Sequence, residues 1–324
     1  MVTKEAAAPD GSPQWLKDRR RGIGGSDAAA LFGCHPWMSP WMLYMDKTVG
    51  LPAKDYNAAL EVGHALEPLT RRLFSEDSGR IVRPSSHTYI PEGYPWMRGN
   101  IDGDVERDDM PGPGVFEGKT TNPYARRDWE TEGAPLYYLV QVHHYMVCTG
   151  RDWASIAVLV LGSKDPLLWQ DIELDREFAD MLIEVERRFW HDHVLANEPP
   201  EVDSHGATTN ILKKLHPDDS GAIIQLPDEA QQWAEKRLEA IEAVKEAESE
   251  RDMFSNRIKA AIGDATVGEL PDGTGFSWRT IERAAHEVKA SKSRTLRFHK
   301  SSKSMATAKA KAEMRLAELE KGIL

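Results

Sequence analysis

The stretch from Arg80 to Lys119 constrains the fold most, because there the chain breaks into short extended runs punctuated by Gly and Pro. Such runs read as a meander of strands. Helical signals precede them. Ser26 opens SDAAALF, Ser39 followed by Pro40 opens SPWMLYMDK, and a longer helix runs from about residue 57 to Ser78, where Gly79 stops it. After the meander come a helix at about 135–149, strands at 153–162 (WASIAVLVLG) and near 167–174, and a helix at about 176–196. This helix–strands–helix–strand order specifies an α/β or α+β fold in which helices flank a central mixed sheet.

The 324 residues suffice for one large domain and a smaller one. Residues 1–12 lack an apolar signal core and read as a disordered leader. Residues 13–200 form the main domain, 201–226 an aperiodic linker, and 227–324 a helical and β-containing extension with a basic tail. In that extension, Trp233, Leu238, Ile241, Val244, Phe254, Ile258 and Ile262 recur at helical spacing between Asp228 and Ile262, without Pro or Gly. Strand-like TVGEL, GFSWRTI and TLRFHK follow, then a short basic helix, ATAKAKAEMRLAELEK.

No apolar run is long enough for a membrane span. Two cysteines, Cys34 and Cys148, cannot build a disulfide framework or a four-cysteine metal site, and they suit a reducing cytoplasm. The net charge of −11 is unevenly spread: residues 279–324 carry twelve Lys/Arg against five Asp/Glu, which leaves the rest at about −18. Basic clusters interrupt that acidic part at Arg19-Arg20-Arg21, Arg71-Arg72 and Arg126-Arg127. Such a balance fits a protein whose carboxylates hold cations beside a polyanion, and equally a protein indifferent to nucleic acid.

The decisive constellation is Ile101-Asp102-Gly103 followed by Val115-Phe116-Glu117-Gly118-Lys119. On a strand, Glu117 and Lys119 project from one face. A hairpin of 100–106 with 113–120 sets Asp102 beside them. Two carboxylates, one ammonium and the Gly118 backbone carbonyl then share a small volume, as Mg2+-dependent phosphodiester hydrolysis requires. Spacing alone is weak evidence, since D…ExK recurs by chance in charged chains.

Two helices border this hairpin. On the helix at 60–73, Val62, Leu66, Leu69 and Leu73 make an apolar face, and Leu60, His64, Glu67 and Arg71 a polar one. Periodicity reads the first as core and the second as either solvated or turned into a cleft. On the helix at 135–149, Tyr137, Tyr138, Gln141, His144 and Tyr145 gather opposite an apolar side that includes His143. Phenols, an amide and an imidazole without Lys or Glu suggest a lined cleft, with His144 a better site candidate than His143. Gly22-Ile23-Gly24-Gly25-Ser26 fails the dinucleotide-loop spacing, but the helix opened by Ser26 offers backbone donors to an anion, with Arg19 nearby. His191-Asp192-His193 sits on a helix, where residues two apart diverge, and is not read as a metal motif.

Taken together, residues 13–162 resemble the YqaJ-type viral recombinase family, related to lambda exonuclease in the PD-(D/E)XK nuclease superfamily. The resemblance rests on an ordered series. It runs Trp15-x-x-x-Arg19, Gly22-Ile23-Gly24-Gly25-Ser26-Asp27, His35-Pro36-Trp37, Gly63-His64-x-x-Glu67-Pro68, Ile101-Asp102-Gly103, Glu117-Gly118-Lys119 and Tyr137-Tyr138-x-x-Gln141-x-x-His144-Tyr145-Met146. One departure is Ile101, where the family usually has proline. The resemblance implies a PD-(D/E)XK core in which Asp102, Glu117 and the Gly118 carbonyl bind Mg2+, with Mn2+ able to substitute. Lys119 activates water, Glu67 completes the site and Gln141 borders it. Arg19 and Ser26 hold a DNA 5′-phosphate, and His64, Tyr137, His144 and Tyr145 line the cleft. It further implies 5′-to-3′ digestion of double-stranded DNA ends in a bacterial host cytoplasm, leaving 3′ tails for a phage annealing protein, by a homo-oligomer such as a trimer. An endonuclease or nickase on the same fold, and a catalytically silent DNA-binding scaffold, stay open as alternatives.

Overall fold

The computed structural model describes residues 1–9, 11–51, 58–282, 296 and 302–321. In chain order the first unit, Met1–His216, contains β1 (Val2–Ala6), α1 (Pro13–Arg19), β2 (Ile23–Gly24), α2 (Gly25–Leu31), α3 (Pro40–Thr48) and α4 (Ala58–Ser78). Five strands follow: β3 (Ile81–Arg83), β4 (His87–Pro91), β5 (Met97–Asn100), β6 (Gly103–Glu106) and β7 (Gly114–Thr121). Then come α5 (Arg126–Thr131), α6 (Leu136–Thr149), β8 (Trp153–Val160), β9 (Leu167–Glu173), α7 (Arg176–Arg188), a π-helical turn (Phe189–Leu195) and α8 (Gly206–Leu215). The second unit, Pro217–Leu324, holds the 33-residue α9 (Ala230–Ile262), the hairpin β10 (Val267–Glu269) and β11 (Gly275–Ser277), and α10 (Ser302–Glu320). The expected strand TLRFHK lies, apart from Leu296, outside the described residues.

The central sheet has the order β3-β6-β7-β8-β9 and is mixed: β7 and β8 are parallel, the other pairs antiparallel. A second sheet, β1-β4-β5-β2, is interleaved with it in the chain, and the backbone passes from β5 of one to β6 of the other between Asn100 and Gly103. Central β8 is buried at all eight positions, which is why WASIAVLV is a continuous apolar run rather than an alternating one. Its Ala154, Ile156, Val158 and Val160 belong to the main core with α2, α6 and α7. Trp153 and Ala157 face a smaller core with Phe74 of α4, Val105 and Phe116. This is an α/β architecture with helices flanking a central mixed sheet, as expected from the sequence.

Three local expectations are corrected. The leader is not loose: Val2–Ala6 pairs antiparallel with β4, and Glu5 accepts an ion pair from the nearly buried Arg98 at 2.6 Å. The linker contains α8, whose Thr208 and Ile211 are buried, so the break between units falls after His216. Finally, the most buried positions of α4 do not lie on its apolar stripe. Thr70 and Phe74 are buried and Gly63 faces Thr120 of β7, whereas Val62 is exposed and Leu66, Leu69 and Leu73 are only partly covered.

Candidate active site

The site forms where β7 outruns its partner β6. Gly103 pairs with Phe116, the last β6–β7 match, so from Glu117 onward β7 is bonded only to β8. Asp102, just before β6, occupies the vacated edge: its Oδ2 accepts from the Gly118 N–H at 2.8 Å. In an extended residue the N–H and C=O point to the same side. The Gly118 carbonyl is therefore aimed toward the Asp102 edge. Strand alternation sends Phe116 to the α4 side and Glu117 and Lys119 to the α6 side.

Glu117 is buried, and its Oε1 accepts from Lys119 Nζ at 2.5 Å and from Gln141 Nε2 at 2.8 Å. Gln141 is itself held by Tyr145, whose hydroxyl lies 3.0 Å from the same Nε2. The other carboxylate oxygen, Oε2, is buried without a hydrogen-bond partner among the described residues. A buried acceptor left unmet is costly unless a cation or donor reaches it. Burial, aided by the neighbouring Glu117, raises the Asp102 carboxyl well above its usual range, against the pull of Lys119. Burial also raises Glu117, although Lys119 opposes it. For Lys119, burial favours the neutral amine, but Glu117 and Asp102 outweigh it and push the pKa up. Its ammonium also sits 4.8 Å above the Tyr138 ring.

Glu67 lies close enough to raise both carboxylates electrostatically, but its Oε1 is engaged by Arg71, which also reaches the Asp102 carbonyl at 3.2 Å. Among the described residues no three His, Cys, Asp or Glu side chains close on one point as a ready metal cage. The oxygens that could hold a metal are instead the Asp102 and Glu117 carboxylates and the Gly118 carbonyl. Hard oxygen donors of this kind, with an orphaned buried carboxylate oxygen, fit a small divalent cation that keeps several waters.

The remaining sequence-predicted residues divide. Tyr137 and Tyr145 stand at the site, Tyr137 close enough to Lys119 to interact electrostatically. His64 is exposed on α4. His144 does not line the cleft. It is fully buried, its Nδ1 2.7 Å from Glu186 of α7 and its Nε2 3.2 Å from the Arg98 carbonyl, so it ties α6 to α7 and β5. Burial favours its neutral ring, but Cys148 and Glu186 beside it raise its pKa well above the usual value. His143 is a core histidine, as expected, with Nδ1 2.8 Å from the Leu139 carbonyl.

Ser26 is exposed in the first turn of α2, but it is not the cap. Gly24 occupies that position, and Asp27 reaches back to its N–H at 3.0 Å. Arg19 is not a solvated arginine. Its Nη2 donates to Asp27 Oδ1 at 2.9 Å, while buried Lys47 donates to Asp27 Oδ2 at 2.6 Å and to the Arg19 carbonyl at 2.8 Å. Sequence reasoning missed Lys47. In PWMLYMDKT it stands between Asp46 and Thr48, so it reads as part of a solvated helix end.

The site thus gathers an acidic pair, an ammonium and an amide on a mixed sheet between α4 and α6. Residues 14–152 match the YqaJ-like viral recombinase domain. The chain is 32% identical over 259 residues to the uncharacterized protein YqaJ of Bacillus subtilis (strain 168), covering 79% of each. It belongs to the YqaJ-like viral recombinase family. Among solved structures it is similar to an alkaline exonuclease (LHK-Exo) from Laribacter hongkongensis, at 21% identity and a TM-score of 0.47, over 63% of this chain and 100% of that one. A phage related exonuclease from Haemophilus somnus 129PT is similar at 13% identity and a TM-score of 0.39, over 54% of this chain and 96% of that one.

Proposed function

We propose that this chain is a divalent-metal-dependent 5′-to-3′ exonuclease acting on double-stranded DNA ends. The observation that carries the reading is the convergence of Asp102, Glu117 and Lys119 at the free edge of β7, with one Glu117 oxygen buried and unpartnered. Asp102, Glu117 and the Gly118 carbonyl would hold Mg2+, or Mn2+ in its place. Bound there, such a cation supplies Lewis acidity toward a phosphodiester and makes water nucleophilic near neutral pH.

The chain's own groups carry the rest. Lys119 donates to Glu117 and, kept cationic by both carboxylates, orients the attacking water and offsets charge gathering on the phosphate. Gln141, fixed by Tyr145, fixes the Glu117 carboxylate in turn. Arg71 ties Glu67 to the Asp102 backbone, so Glu67 shapes the edge of the site. Arg19 and Ser26, the exposed neighbour of its partner Asp27, are proposed to take the 5′-phosphate. The contact of Arg19 with Asp27 presents the guanidinium in a fixed pose, which suits directional phosphate recognition.

The proposed product is a duplex with a 3′ single-stranded tail, its receiver a phage annealing protein, and the working form a homo-oligomer in the host cytoplasm. Among the described residues no helix is long and apolar enough to cross a membrane. The test is digestion of linear against closed-circular duplex with Mg2+. Consumption of linear DNA alone supports the exonuclease, equal cutting of circles indicates an endonuclease, and no cutting of either indicates a silent scaffold.

A further inference from the structure

A single exposed aromatic says little by itself; its bracing and its neighbours decide what it can do. Trp37 is 67% exposed, yet it sits on a braced segment. Its backbone N–H donates to His35 Nδ1 at 3.0 Å. The His35 carbonyl lies 3.0 Å from His205 Nε2, at the start of α8. Two residues beyond Trp37, buried Ser39 meets Thr208 of α8 at 2.6 Å, and Thr208 donates to Asp203 at 2.7 Å. The α8 helix thus props a short loop whose outermost side chain is an indole.

The rings lead inward from there. Trp37 packs edge-on to His35 at 5.9 Å and to Tyr137 at 6.3 Å between centroids. Tyr137 lies 4.2 Å from Tyr138, and the Tyr138 ring underlies Lys119 Nζ at 4.8 Å. Both neighbours meet Trp37 steeply, at 79° and 74°, so neither ring stacks parallel on the indole. An exposed indole on which neither neighbouring ring stacks parallel, joined by rings to the lysine of the nuclease site, has the chemistry of a base-stacking platform.

We propose that Trp37 stacks on an unpaired base at the DNA end, with His35 and Tyr137 bracing the indole, and so positions the strand that enters over Lys119. The inference rests on the nuclease reading above. It makes Trp37 a substrate-positioning residue and assigns α8 the task of holding it. Stacking on an aromatic is worth about 1–3 kcal/mol per base, or roughly 5- to 150-fold in affinity. The interaction tolerates any base, since every base has a π-face.

The test uses the full chain and a duplex with 2-aminopurine at the terminal nucleotide of the 5′-phosphorylated strand. Binding is followed with Ca2+ replacing Mg2+ by anisotropy and 2-aminopurine fluorescence, and digestion with Mg2+ is timed separately. The expected result has three parts. Wild type quenches the probe. Trp37→Ala loses the quench and raises KM at least about 5-fold, with kcat changed far less and an unaltered melting profile. Trp37→Phe recovers most of both signals. If wild type digests DNA but Trp37→Ala matches it in quench and KM, the platform is wrong while the nuclease reading stands. A wild type that neither binds nor digests DNA overturns both. An equal fall of Trp37→Ala and Trp37→Phe together with lower melting temperatures makes the residue a packing element and also overturns the platform.

Discussion

Lys47→Met tests whether the Asp27 cluster is a load on the fold or a support for it. The Lys47 side chain is fully buried and donates to the equally buried Asp27 and to the Arg19 carbonyl. Methionine keeps most of the volume, so the change removes charge with little cavity. Asp27 then keeps Arg19 and the Gly24 N–H but loses its closest cation. Removing one partner of a buried pair costs about 3–5 kcal/mol, because the other charge stays buried. With Arg19 still in place, the lower end, about 3 kcal/mol, is expected, a large share of the roughly 5–15 kcal/mol that holds a domain together. Eight of the ten tryptophans lie in residues 1–216, so urea unfolding followed by intrinsic fluorescence reports on this unit. The sign with pH follows from Asp27. Burial raises its pKa, but Lys47 and then Arg19 outweigh burial and hold it far below the ordinary carboxylate value. A depressed folded pKa contributes stability that is complete above the unfolded value, about 3.9, and lost as pH falls through the folded one. The gap between wild type and Lys47→Met is therefore full at pH 7 and narrows below about pH 4. Adding Asp27→Asn removes the stranded charge and recovers part of the loss. A loss under about 1 kcal/mol at pH 7, or one indifferent to acid, refutes the reasoning.

Lys119→Ala is expected to lower hydrolysis by at least about 100-fold while filter binding to DNA persists, the order seen when one catalytic donor is removed. Asp102→Asn should abolish activity and weaken Mg2+ binding, since an amide lacks the charge a hard cation needs; unchanged affinity by calorimetry removes Asp102 from the ligand set. A 5′-phosphorylated duplex should be digested faster than its 5′-hydroxyl twin, and Arg19→Ala should shrink the difference; equal rates in wild type place the phosphate elsewhere. Gly25→Ala should reduce activity without touching the site, because a methyl there falls inside the Tyr145 ring and displaces the hydroxyl that holds Gln141. Wild-type rates in that variant would mean the α2–α6 contact adjusts freely.

The parts of the site carried by strand β7 were legible because alternation is a local rule. Once residues 114–121 are extended, Glu117 and Lys119 must share a face whatever lies around them. What escaped depends on partners distant in the chain. A helical wheel finds the apolar stripe of α4 but not the direction in which the helix is turned. Here Glu67, Thr70, Arg71 and Phe74 face inward because the sheet they cover ends in carboxylates and an unpaired strand edge, which polar side chains can meet and Val62 or Leu66 cannot. For His144 the wheel was right to separate it from the aliphatic side and wrong about what lay opposite. The apposed surface is Glu186, 42 residues further on, and a polar side chain can enter a core when its match is supplied there. The first strand escaped for the complementary reason. VTKEA looks like a leader because an edge strand can leave most of its side chains in water, and only the pairing with β4 and the Glu5–Arg98 contact reveal it. The buried polar residues of this chain therefore carry little local and much tertiary information, which is why Lys47 and Glu186 emerge only once the helices are packed.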